Sequence, residues 1–208
     1  MSQDVILYTN PLSRGRIARW MLEEIGCPYK TEILDYGPPM RTPDYLKVSP
    51  LGKVPAIRHG DQVVSECAAI CAYLADAFPE AGLAPPPAER GSYYRALFFA
   101  AGPFEAAATD RHFGLEPEEG RQQRMAGYGS FTRMMDALVK IVPADGYIAG
   151  DRFTAADVYL GCQVGWGMRF GSLEERPELV DYWARASDRE AFRRAMAIDE
   201  ELAAKEAG

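Results

Sequence analysis

The sequence predicts an α/β domain followed by an all-α domain, and three observations carry that prediction. Segments of strand length and strand patterning fall early in the chain, in the order strand, helix, strand, then strand, strand, helix. The stretch Glu80–Gly91, EAGLAPPPAERG, then carries three consecutive prolines and two glycines, the composition of a linker. Beyond it, apolar and aromatic residues recur at helical spacing and no strand pattern stands out. The division read from this is residues 1–80 as the α/β domain, 81–91 as linker and 92–208 as the helical domain.

Each element has its own signal. Val5–Tyr8 is an apolar run stopped by Asn10-Pro11, which reads as a buried first strand. Ile17, Met21 and Ile25 recur every fourth residue between Ser13 and Gly26, a helix with Ser13 near its N-cap and a glycine stop. Tyr29–Leu34 alternates as a second strand, and the proline-rich loop from Asp35 to Pro50 is irregular. A short strand is interrupted by Val54-Pro55, where the proline removes a backbone donor. His59-Gly60-Asp61 turns the chain into Gln62–Val64, and Ser65-Glu66-Cys67 opens a helix. Its buried face is Ile70, Tyr73, Leu74, Ala77 and Phe78. In the second half, Ser92–Ala108, Arg121–Val142, Thr154–Gly165, Glu178–Ser187 and Glu190–Ala204 read as helical. Thr154 and Asp157 form a capping pair, and Phe153 a hydrophobic staple ahead of it.

Composition narrows the function classes. The 208 residues are 48% hydrophobic and 25% charged, ordinary for a globular protein with real cores. A formal net charge of -7 gives no electrostatic support to a nucleic-acid partner. No apolar run approaches the roughly 20 residues that span a bilayer, so no membrane partner is expected. The N-terminus MSQDVILYTN lacks a basic segment followed by an apolar one, and the four cysteines show neither CxxC nor zinc spacing. Reduced thiols, a cytoplasmic location and no metal are the expectation.

Three motifs carry a resemblance. They are Val54-Pro55; Glu66-Cys67 with Ala69-Ile70 and Tyr73-Leu74 in the same helix; and Gly150, Phe153, Thr154, Ala156 and Asp157. In this order and spacing the chain resembles the cytosolic glutathione transferase superfamily along its whole length, bacterial members in particular. The resemblance implies a thioredoxin-like N-terminal domain with a cis-proline at Pro55, a helical C-terminal domain, and a homodimer active in detoxification. It implies glutathione as a substrate, held through Lys53, Val54, Pro55, Glu66 and Cys67, and a small hydrophobic electrophile as the second substrate. A glutathione-dependent isomerase, dehalogenase or thiol-disulfide reductase on the same fold is the alternative enzyme. A non-catalytic binding protein is the third reading.

The implied chemistry needs a thiolate. A free thiol titrates at about 8.5, so it is mostly protonated at neutral pH. A hydroxyl aimed at the sulfur beside a helix N-terminus favours the anion. Ser13, in the loop entering the first helix, and Tyr8, closing the first strand, both suit that role, with Ser13 ranked first. No cysteine lies between Val5 and Ile25, which argues against disulfide exchange through that loop. Glu66 is placed to meet the γ-glutamyl ammonium, and the helix N–H groups behind it the carboxylate. Cys67 stands where the family usually has serine, so a strong donor becomes a weak thiol while the backbone N–H is kept. Phe104, His112 and Trp166 are the candidates for the second-substrate pocket.

Overall fold

The computed structural model describes residues 5–206. They form two compact units. The first takes the chain up to Leu83 and again from Asp188 on, and the second takes Ala84–Ser187. The helical segment 92–208 read from the sequence is therefore divided, its last helix packing with the first unit.

The first unit is a thioredoxin-like sheet with helices. Its elements are β1 (Val5–Thr9), α1 (Gly15–Ile25), β2 (Tyr29–Ile33), α2 (Pro43–Leu46), β3 (Ala56–His59), β4 (Gln62–Ser65) and α3 (Cys67–Ala77). The strand order is β2-β1-β3-β4. β1 and β2 are parallel, whereas β3 runs antiparallel to both β1 and β4. Val5, Leu7 and Thr9 are fully buried on one face, beside Ile17, Trp20, Met21 and Leu22 of α1 and Ile70 and Leu74 of α3. On the other face Tyr8 packs on a cluster of Met40, Tyr45, Val48 and Ala56. The loop read as irregular between residues 35 and 50 holds two short helical turns, Pro38–Arg41 and α2. Thr42 caps α2 by accepting the Tyr45 N–H at 3.3 Å, and Pro43 fills the first helical position.

The last helix, α10 (Glu190–Glu206), lies against α1. Ala191, Ala195 and Asp199 form a buried stripe along it. Asp199 accepts from Arg19 Nε at 2.8 Å, and both side chains are at most 1% exposed. Burial pushes the Asp199 carboxyl up, against the pull of Arg19.

The second unit is helical, with α4 (Gly91–Phe99), α5 (Glu105–Phe113), α6 (Arg121–Met125), α7 (Phe131–Ile141), α8 (Ala155–Arg169) and α9 (Pro177–Ser187). The single helix expected over 92–108 is interrupted by a π turn, Ala100–Phe104, because Pro103 has no N–H to continue the ladder. The segment 121–142 is likewise two helices, parted at Gly129, whose φ of 73° is left-handed.

Helix α8 is buried along most of its length and organises this unit. Its Asp157 carboxylate accepts from Ile148 N, Thr154 N, Thr154 Oγ1 and Tyr182 OH, at 2.8 to 3.0 Å. Burial pushes Asp157 up and those four donors pull it back. The Tyr182 phenol, buried and facing that carboxylate, is raised well above its ordinary range and stays a donor. Gly165 has no room for a Cβ, since the Trp183 indole of α9 fills that space. Gly165→Ala is expected to lower the free energy of unfolding by about 1–3 kcal/mol through overpacking. A urea melt should show an earlier midpoint with unchanged slope.

Candidate functional site

The loop from β1 into α1 is closed by Asn10, which is 3% exposed. Its side chain donates to Leu34 O at 3.2 Å and accepts from Leu12 N at 3.0 Å. Its carbonyl accepts from Ser13 N at 3.0 Å and from Ser13 Oγ at 2.7 Å. Ser13 Oγ in turn accepts the N–H of Gly15, the first residue of α1, at 2.9 Å. The N-cap position itself belongs to Arg14, which makes no side-chain cap bond, so Ser13 serves the helix start from one residue earlier than a plain cap. Two consequences follow for the Ser13 hydroxyl. It sits at the positive end of an eleven-residue helix. Accepting a backbone N–H also polarises its own O–H, making it a better donor.

The segment 49–55 is held from beneath. Ser49, 2% exposed, accepts the Lys53 N–H through Oγ at 3.2 Å, and its carbonyl accepts from Gly52 N at 2.8 Å. Gly52 has φ 60°, and a Cβ there would lie 2.5 Å from Met40 O, so the turn requires glycine. Tyr45 OH donates to Lys53 O at 2.7 Å. Val54-Pro55 is cis, as the resemblance implies. Val54 rests its side chain on the Tyr45 cluster, and its backbone N–H and C=O have no hydrogen-bond partner among the described residues. The Lys53 side chain is exposed and Pro55 is buried.

At the start of α3, Glu66 adopts φ 69° and ψ 116°, the one non-glycine with positive φ among the described residues. Such a conformation costs about 1–3 kcal/mol. It leaves the carboxylate exposed, while the Glu66 carbonyl already accepts from Ile70 N at 2.9 Å. The first N–H groups of α3 thus open beside an acidic side chain. Cys67, 8% exposed, turns its thiol inward to Arg14 O at 3.4 Å. That contact joins the start of α3 to the start of α1 and its Ser13 loop.

Tyr8 stands elsewhere. Successive strand residues face opposite ways, and it is Thr9 whose side chain meets Gly15 of α1. Tyr8 therefore faces the α2 side, 5.8 Å from the Tyr45 ring, in a cavity of about 240 Å³ also lined by Glu32, Leu34, Val48 and Arg58. Ser13, ranked first from the sequence, lies instead at the start of α1. In the second unit, Phe104 is buried, at 3% exposure. His112 is exposed near the end of α5, and Trp166 is half-buried on α8. Among the described residues no group of three or more His, Cys, Asp or Glu is placed to hold a metal ion.

Sequence reasoning missed Asn10 and Tyr45. Asn10 had a signal in Asn10-Pro11, which reads as a strand stop, though the side chain also ties both ends of the loop. Tyr45 had one in Thr42-Pro43-Asp44, a helix-start pattern inside a loop called irregular for its prolines.

The chain is similar to known proteins along most of its length. Residues 14–77 match the glutathione S-transferase N-terminal domain, and residues 102–190 the glutathione S-transferase C-terminal domain. The chain is 31% identical over 204 residues to glutathione S-transferase 1 of Dianthus caryophyllus, covering 88% of this chain and 89% of that protein. A glutathione transferase from Methylococcus capsulatus shares 30% identity and a TM-score of 0.69, over 94% of this chain and 98% of that one. A sphingomonad glutathione S-transferase solved in complex with glutathione shares 26% identity and a TM-score of 0.72, over 94% and 98%.

The Tyr45 anchor is testable by pH. Burial raises its phenol from 10.0 to about 12. The unfolded chain ionises it at the lower value, so its contribution to stability is complete below pH 10 and is lost as pH rises toward 12. Tyr45→Phe is expected to lower unfolding free energy by about 1 kcal/mol at neutral pH. In urea melts the gap from wild type should narrow above pH 10.

Proposed function

Because this chain is a member of the glutathione S-transferase family, we propose that its first unit binds glutathione as a thiolate and conjugates it to a hydrophobic electrophile. The observation that carries the reading is the Ser13 hydroxyl at the start of α1, joined through Arg14 O and Cys67 to the start of α3. The sphingomonad relative with bound glutathione supports the ligand.

In this reading the γ-glutamyl carboxylate accepts from the N–H groups opening α3, and Glu66 pairs with the ammonium. The unpartnered Val54 N–H and C=O exchange hydrogen bonds with the cysteinyl unit, as an added strand would. The Ser13 hydroxyl turns from Asn10 O to the sulfur and donates to it. Lowering the thiol pKa by two units amounts to about 2.7 kcal/mol, within reach of one hydroxyl and a helix N-terminus. The sulfur lone pair then forms the C–S bond, and the leaving group departs with its electron pair. Ser13 is preferred to Tyr8 because Tyr8 faces the α2 side of the sheet. A serine rather than a cysteine in the loop disfavours thiol-disulfide reduction through an enzyme disulfide. We extend the family assignment to a cytoplasmic homodimer with a role in detoxification.

Ser13→Ala is expected to bind glutathione as wild type does in calorimetry, while turnover of an activated aryl halide falls about 100-fold. Unchanged turnover removes Ser13 from the mechanism. Glu66→Gln is expected to weaken glutathione binding about tenfold, the loss of one charged hydrogen bond. An absence of binding heat at millimolar glutathione in the wild type rejects the site altogether.

A further inference from the structure

Helix α10 meets α1 through polar contacts that the proposed chemistry does not use. Arg19 donates through Nε to Asp199 Oδ1 at 2.8 Å, and through Nη1 to Tyr29 OH and Thr31 Oγ1, both at 3.2 Å. Arg19 is 1% exposed and Asp199 0%. Arg19 Nη2 and Asp199 Oδ2 are buried with no hydrogen-bond partner among the described residues. Around the pair, Arg189 forks onto Glu24 at 2.7 Å for both bonds, and Arg194 donates to Glu23 Oε2 at 3.1 Å. The Trp20 ring stands edge-on to Phe192 at 4.8 Å.

As adhesion, a buried ion pair with two unsatisfied atoms is poor. Apolar residues of the same volume hold two helices as well or better. The Ala191–Ala195 stripe and the Trp20–Phe192 contact already supply apolar packing. What the ion pair adds is direction, because the planar guanidinium meets its three partners in one orientation only. Arg19 is four residues beyond Gly15, so the two share one face of α1. Gly15 is set against Thr9 at one end of that face, and Arg19 is set by β2 and Asp199 at the other. The two points are about 6 Å apart along the helix and together fix its roll. Ser13 lies immediately ahead, its oxygen on the Gly15 N–H.

We propose that Asp199 is a positioning residue for the transferase reaction: it holds Arg19, Arg19 fixes the roll of α1, and that roll aims the Ser13 hydroxyl at the glutathione sulfur. The inference rests on the reading of Ser13 given above. A misplacement of the donor by about 1 Å is enough to cost up to about 100-fold in rate.

Asp199→Asn keeps the shape and removes the charge. In the folded variant, glutathione affinity by calorimetry is expected to be unchanged, because Val54, Glu66 and α3 are untouched. The pH midpoint of kcat/KM with an activated aryl halide is expected to rise by about one unit, and kcat to fall about tenfold. A merely structural role would lower the melting temperature and leave that midpoint in place. In a Ser13→Ala background, adding Asp199→Asn should change neither parameter further. An unmoved midpoint in folded Asp199→Asn, or an equal additional loss in the Ser13→Ala background, overturns the proposal. Should Asp199→Asn fail to fold, the double variant Arg19→Met with Asp199→Leu removes both charges. It is expected to be folded with a raised midpoint, and a wild-type midpoint there overturns the proposal. A wild-type profile in Ser13→Ala alone overturns the reading beneath it, and the two failures are thereby told apart.

Discussion

The closeness of α1 to the end of β1 is the constraint on which the first unit depends. The Thr9 side chain occupies the space where Gly15 would carry a Cβ, so any other residue at position 15 displaces the helix or the strand. That proximity leaves only Asn10–Arg14 to reverse the chain. Asn10 closes the turn with bonds to Leu12, Ser13 and Leu34, and the Ser13 oxygen becomes the partner of the first helical N–H. A hydroxyl is thereby set at the positive end of a helix by packing rather than by its own rotamer preference.

In the proposed reading, binding and reaction are divided between two segments joined by the hydrogen bond from Cys67 to Arg14 O. Segment 49–67 presents an unpartnered strand-like backbone at Val54, an exposed carboxylate at Glu66 and the open start of α3. Its special backbone positions are bound by packing beneath them, with Gly52 over Met40 O and Tyr45 under Lys53 O. Loop 10–15 carries the hydroxyl. Cys67 joins the two through Arg14 O. A serine there would be the stronger donor, and a thiol folded inward against a carbonyl leaves recognition at that position to the backbone N–H.

Features of short range in sequence were legible, and those of long range were not. The Thr154–Asp157 pair spans three residues and was read directly, as was the proline after Val54. The fourth partner of Asp157, Tyr182, lies 25 residues away and carries no local signal. Tyr8 stood as a second candidate behind Ser13 because it closes the first strand. Strand alternation separates them, since Leu7 and Thr9 take the helix-covered face and leave Tyr8 the other. Arg19 and Asp199 are 180 residues apart. The one trace of their union in the sequence is an aspartate continuing the stripe of Ala191 and Ala195, where an apolar residue belongs. The domain boundary was blurred for the same reason: a linker composition marks where the chain leaves the first unit, and nothing comparable marks its return.

That return has a consequence for synthesis. The chain emerges from the ribosome in order, and domains fold as they become available. The first unit, however, is not contiguous. Until the residues from Asp188 on have been made, Trp20 has no Phe192 and Arg19 no Asp199. The intervening unit, Ala84–Ser187, is complete in itself before then. Helix α1, with Ser13 just ahead of it, is thus among the first segments to be translated and waits longest for its partner helix. A nascent chain halted short of α10 would carry a formed sheet and an arginine held by Tyr29 and Thr31 but still without its carboxylate partner.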